Sequence, residues 1–190
     1  TGAGEAIEST VTTGGMWSEY MDYDVKLDAS CLPVVVWGAG HDLKLSRFNG
    51  VDWDEQTLET TEDYISGVGL DIGSDGSYHV SYREASAGLV EWGLYYYIYG
   101  SDINTWGDSE VLDLGSEGQF SENYLSLEVD SNNEPFIKVG TRMYYRDDGS
   151  WEYYQLPNDY RDDLMLMRSD QMYLFGDNTF AVSQNQAIEE

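Results

Sequence analysis

The sequence predicts an all-β protein, a β-propeller of four-stranded antiparallel blades with about four blades visible. Three observations carry this. The chain repeats itself, its apolar residues alternate with period two, and Gly, Asn and Asp gather between the alternating runs. Only three prolines occur in 190 residues, and no apolar stripe follows the 3.6-residue period of a helix.

Each unit opens with a hairpin. "VKLDASCLPVVVW" (Val25–Trp37), "GLDIGSDGSYHVSY" (Gly69–Tyr82) and "LEVDSNNEPFIKV" (Leu127–Val139) are three copies of one pattern. Asp28, Gly73 and Asp130 fall at equivalent places, as do Pro33, Tyr78 and Pro135. Val25/Leu27, Val68/Leu70/Ile72 and Leu125/Leu127/Val129 alternate, which predicts first strands with one buried face.

A third strand, a turn and a tryptophan follow in "LKLSRFNGVDW", "LYYYIYGSDINTW" and "MYYRDDGSW", so Trp53, Trp106 and Trp151 are expected to pack between units. "EQTLETT", "SEVLDLG" and "EYYQLP" supply the fourth strands. A fourth copy, "LMLMRSDQMYLF" (Leu164–Phe175), has a tighter turn, and its unit ends where its last strand should begin. The repeats span roughly 21–60, 66–114, 123–157 and 162–190 of a single domain covering 1–190. Residues 3–11, which resemble the other terminus, are a possible closing strand that would hide a sheet edge. Five blades, or a fragment of a larger ring, are the alternatives.

The run of strand, "D-S-D/N-x-x-P" turn, strand, "Y-Y" and "D-G-S-W" resembles the repeats of secreted microbial β-propellers, similar to the sialidase-like and Asp-box (BNR) group. The resemblance covers about Asp22 to Phe180 and implies the propeller architecture. An enzyme of the sialidase kind would also need arginines that clamp a carboxylate. Arg47, Arg83, Arg142, Arg146, Arg161 and Arg168 do not repeat in register.

Charge narrows the function. Thirty-six acidic residues against nine basic ones give a formal net charge of −27. Nucleic acid and anionic lipid need a basic footprint, so neither is an expected partner. Acid-rich, lysine-poor surfaces resemble those of halophilic proteins, and a salty habitat is the expectation. Molar salt shortens the screening length to roughly 3 Å and quiets such self-repulsion. No run approaches the ~18 apolar residues of a membrane-spanning helix. "TGAGEAIEST" lacks a charged-then-apolar leader, so a processed chain at an extracellular or cell-surface location is expected. The single Cys31 excludes an internal disulfide.

"DSNNE" (Asp130–Glu134) sets oxygens at alternate positions, as a calcium loop does, but Pro135 stands where such a loop needs glycine. The repeat comparison makes it a hairpin in which Asp130 caps the turn. No cofactor is expected. Calcium remains possible, with Asp71 and Asp75 of "DIGSDG" as the candidate ligands. No catalytic residue is singled out. His79 shares its strand position with Val34 and Phe136, which suits a buried structural role, and His41 reads as a solvated loop residue.

Aromatics outside the repeat are free to make contacts: Trp17 and Tyr20 in "GGMWSEYMDY" and Trp92 in "REASAGLVEWG". Together with Arg83 and His79 they form the candidate ligand-binding set. The expected function is a non-enzymatic recognition module for a glycan or protein. A glycoside hydrolase or lyase with a central carboxylate pair and a structural module of a surface assembly are the alternatives.

Overall fold

In the computed structural model, the described residues are 22–85, 92–99, 110–112, 125–156, 164–168, 171–175 and 179–183. They form strands and turns and contain no helix. Among the described residues, fifteen strands make four antiparallel sheets, each in strict chain order. The first sheet is β1 (Tyr23–Leu27), β2 (Pro33–Ala39), β3 (Asp42–Phe48) and β4 (Trp53–Thr60). The second is β5 (Tyr64–Ile72), β6 (Tyr78–Ala85), β7 (Trp92–Tyr99) and a short β8 (Glu110–Leu112). The third is β9 (Leu125–Val129), β10 (Pro135–Val139), β11 (Arg142–Asp147) and β12 (Ser150–Gln155). The fourth has β13 (Leu164–Arg168), β14 (Gln171–Phe175) and β15 (Thr179–Ser183). A fourth strand of the last sheet, and residues 3–11, lie outside the described residues.

The first hairpins of three sheets share one geometry. Cys31, Gly76 and Asn133 occupy the same place in each turn and all have positive φ, at 60°, 84° and 66°. Their N–H groups donate to Asp28 O, Gly73 O and Asp130 O at 2.8, 2.9 and 3.1 Å. This is a three-residue loop whose last residue is left-handed. Asp28 Oδ1 also accepts from Ser30 N and Leu32 N, and Asp130 Oδ1 from Asn132 N and Glu134 N, all within 2.8–2.9 Å. The side-chain cap expected for Asp130 is present, and Asp28 repeats it. At the β11–β12 turn, Asp148 and Gly149 both have positive φ, as a two-residue turn of the primed type requires.

The sheets stand in succession, with β1 beside β5, β5 beside β9 and β9 beside β13. Three apolar layers fill the spaces between them. Val34, Val36, Leu43 and Leu45 of the first sheet meet Val68, Leu70, Val80 and Tyr82 of the second. Leu94, Tyr96 and Leu112 then meet Leu127, Ile137 and Tyr144, and Phe136, Met143 and Leu156 meet Met165, Met172 and Leu174. The rear face of each sheet thus covers the front face of the next. Side chains alternate along a strand, so one period-two pattern serves two layers.

One expectation fails here. The alternating residues of β1 do not have a buried face, because Tyr23, Val25 and Leu27 are 71%, 49% and 63% exposed. At the same register Leu70 and Leu127 are buried. The difference is positional. The first sheet packs over Leu70 and the second over Leu127, whereas no other sheet among the described residues packs over Val25.

Candidate functional site

Three places gather polar or aromatic side chains. The first lies along β1, β5 and β9, the first strands of three sheets. Lys26, Asp71 and Glu128 each stand two residues before their hairpin, so they are one repeat position seen three times. They converge. Lys26 Nζ is 2.9 Å from Glu128 Oε1 and 3.6 Å from Asp71 Oδ1. Burial depresses the ammonium, but Asp71, Glu128 and Asp24 outweigh it, so the Lys26 pKa rises and the group stays charged.

Neighbouring carboxylates tie the strands together through the backbone. Asp24 Oδ2 accepts from Leu70 N at 2.9 Å, and Asp71 Oδ2 from Val129 N at 2.7 Å. Each bond runs from one sheet to the next. Asp71, a candidate metal ligand, is therefore engaged by Lys26 and by two backbone N–H groups, those of Val129 and Ile72. Asp75, the other candidate, sits in the β5–β6 turn and accepts from Ser77 N and Ser77 Oγ at 2.9 and 2.6 Å, which holds its pKa down. Among the described residues no three His, Cys, Asp or Glu side chains group as metal ligands.

The second place is a buried relay through His79, which is 1% exposed. Its Nδ1 is 2.5 Å from the Tyr96 hydroxyl and its Nε2 is 3.0 Å from Ser77 Oγ. Burial keeps the imidazole pKa below its usual value, so the ring is neutral at pH 7. Ser77 spends its one proton on Asp75, which assigns the rest by counting: His79 Nε2–H donates to Ser77, and Tyr96 O–H donates to His79 Nδ1. The order Asp–Ser–His–Tyr differs from a nucleophilic triad, where the carboxylate orients the imidazole. Beyond it, the Tyr96 ring meets Trp151 edge-on at 5.2 Å, and Glu110 accepts from Trp151 Nε1 at 2.7 Å and from Arg146. Trp151 thus packs between sheets as expected. Trp106 lies outside the described residues.

The third place is the end of the array that carries the β2–β3 turn and the β4–β5 link. His41 and Tyr64 are exposed and their rings face each other, centroids 4.5 Å apart and tilted by 33°. His41 Nδ1 lies 3.1 Å from Asp63 O, Thr61 N donates to His41 O, and Ile65 N donates to Gly40 O. These bonds fix the pair to the sheet. Tyr64 stands opposite Ala85, and Ala85 opposite Trp92, so the register sets Tyr64 and Trp92 in one cross-strand row.

Glu84 is next in that row's neighbourhood. Burial raises its pKa, while the Tyr95 and Tyr82 hydroxyls oppose the shift. Arg83 is 2% exposed. Burial pulls its pKa down to about 10 while Asp22 opposes the shift, so it stays cationic at neutral pH. The five ligand candidates therefore separate. Arg83 and the backbone of Trp92 come to this end, His79 is interior, and Trp17 and Tyr20 lie outside the described residues. His41 and Tyr64 were not among them, and only the register shows their place. The sequence signal was slight: one His in a glycine turn and one Tyr opening a strand.

No family model matches the chain, and no curated protein matches it. Solved structures resemble it, two of them as follows. One is a fucose lectin from Kordia zhangzhouensis in complex with methyl-fucoside, at 15% identity over 70% of this chain and 99% of that one, with a TM-score of 0.45. The other is a protein of unknown function from Dyadobacter fermentans DSM 18053, at 10% identity over 83% of this chain, with a TM-score of 0.57. This chain matches 61% of that protein's length. At these identities the second likeness bears on fold alone, and the superposition on the first is too loose to argue from.

Proposed function

We propose that the chain is a non-enzymatic recognition module that binds a glycan or protein at the end carrying His41 and Tyr64, its sheets arranged about an axis as propeller blades. One observation carries this reading: the exposed His41–Tyr64 ring pair, locked by backbone bonds and in register with Trp92. Flat rings beside carboxylates suit a sugar, whose C–H face stacks while its hydroxyls donate to Asp63 and Glu84. A net charge of −27 favours a neutral ligand over an anionic one. The same charge supports salt-rich surroundings and an extracellular or cell-surface place.

The test is a glycan array read at high salt, followed by titration of any neutral glycan that binds. Tyr64→Ala should weaken binding about tenfold or more, the loss of roughly 1.4 kcal/mol, with an unchanged far-UV spectrum. Binding unaffected by the variant removes this site. Release of a cleaved sugar would make the protein a glycosidase or lyase instead. An array without any saturable signal leaves the structural-module reading.

A further inference from the structure

We infer that His41 sets what the ligand at its end of the array must offer: its Nε2 lone pair, beside the Tyr64 ring, takes a hydrogen bond from a sugar hydroxyl. The inference rests on the recognition reading above and narrows it to glycans that keep that hydroxyl free. The partner of the ring decides which nitrogen holds the proton. His41 Nδ1 lies 3.1 Å from Asp63 O, and a carbonyl oxygen only accepts, so in the neutral ring Nδ1 carries the hydrogen. Nε2 is left with the lone pair. It has no partner among the described residues, and the residue is exposed.

One short segment sets both the acceptor and the aromatic face. Asp63 O also accepts from Thr61 Oγ1 at 2.5 Å, and Thr61 N donates to His41 O at 2.9 Å. Tyr64 follows Asp63 directly, and its ring centroid lies 4.5 Å from that of the imidazole. A sugar stacked by its C–H face on Tyr64 carries its hydroxyls around the ring edge, where a neighbouring acceptor can take one.

The surrounding groups favour the same kind of ligand. Thr60 Oγ1 donates to Asp42 at 2.7 Å and Thr61 Oγ1 to Asp63 O, so both threonine protons are spent within the chain. Arg83 is 2% exposed, and Lys44 is paired with Glu55 at 2.9 Å. Around the ring pair the described side chains therefore present acceptors: His41 Nε2, Glu62 and Asp63. The Tyr64 hydroxyl can act either way. A sugar whose hydroxyls are masked as methyl ethers has nothing to donate to them.

Two measurements test this. The chain has two histidines, and they should carry opposite tautomers, since His79 donates from Nε2 to Ser77 and His41 from Nδ1. Long-range proton–nitrogen correlation spectra at about pH 9, where an ordinary imidazole is neutral, read both rings, and His41→Phe assigns the signals. A His41 proton on Nε2 overturns the inference and leaves the recognition reading standing. The second measurement is a glycan array carrying each neutral oligosaccharide in native and O-methylated form. Stacking alone would retain the methylated form, whereas the loss of donors should weaken it about tenfold or more. His41→Phe keeps a ring beside Tyr64. It should weaken the native glycan about two- to tenfold, the worth of one neutral hydrogen bond, and leave the methylated one unchanged. Equal binding of the two forms, or a His41→Phe variant with undiminished affinity for the native glycan, overturns the inference alone. An array silent in both forms overturns the recognition reading and this inference with it.

Discussion

Lys26 Nζ donates to Glu128 Oε1 at 2.9 Å across 102 positions of sequence. The bond joins the first strand of the first sheet to the first strand of the third, and Asp71 of the second sheet completes the group. One repeat position thus meets itself across three sheets. The charges differ among copies. Three acids would repel there, and the single lysine turns the meeting into an ion pair.

Lys26→Met should therefore destabilise the fold by about 1.5–3 kcal/mol, the range for losing hydrogen bonds to charged groups. The two side chains of the short pair are only 26% and 10% exposed, so salt should screen the loss little. Urea titrations of Lys26→Met, Glu128→Gln and the double variant would measure the coupling. Additive losses would mean the pair contributes nothing of its own.

His79 should make the protein sensitive to acid. Its pKa is lowered in the fold by burial, so the unfolded chain takes up a proton more readily. The stability it contributes is complete above the unfolded value of about 6.5 and is lost as pH falls from there toward the folded value. His79→Phe, the residue type found at position 136, should flatten that slope. It should also cost about 1–3 kcal/mol at pH 7, because Tyr96 and Ser77 lose a buried partner. Thermal melts between pH 5 and 8 (about one and a half units either side of the imidazole's ordinary value) would show both effects.

Cys31 adopts φ of 60°, where the sister turns place glycine and asparagine. A left-handed backbone costs a residue with a Cβ roughly 1–2 kcal/mol, and glycine gives back part of that through its freer unfolded chain. Cys31→Gly should be neutral to stabilising, by up to about 1 kcal/mol, and Cys31→Val, whose branched Cβ fits poorly, should be destabilising. Denaturant midpoints of the two variants decide the matter. A Val variant as stable as the Gly one would contradict the turn assignment.

Gly69 lies at a close approach of the second sheet to the third. A Cβ there would sit 2.6 Å from Leu125 Cδ2 and 2.9 Å from Leu127 Cβ. Gly69→Ala should cost about 1–3 kcal/mol through overpacking. Leu125→Ala in the same chain should recover part of that, while Leu127 keeps the rest. Melting curves of the single and double variants provide the comparison.

Much of the architecture was written along the chain. The "DASCLP", "GSDGSY" and "DSNNEP" turns, the alternation beside them and the tryptophan after each third strand are local signals. Local chemistry suffices to specify a hairpin: Asp28 and Asp130 cap their own turns through bonds to residues two and four places on. The His41–Tyr64 pair was not legible, because it unites a turn and a strand 23 residues apart that meet only once the β4–β5 link has folded back.

By itself, then, the sequence determined four units of antiparallel strands, their turns, and a surface charge that any fold would have to carry. Those features depend on neighbours in the chain or on simple sums. The tertiary structure alone decided that Lys26, Asp71 and Glu128 share one point, that His79 is sealed beneath Tyr96, and that Val25 is bare where Leu70 and Leu127 are covered. Burial depends on what stands opposite a face. A period-two pattern says that a strand has two sides, and only packing says which of them meets another sheet.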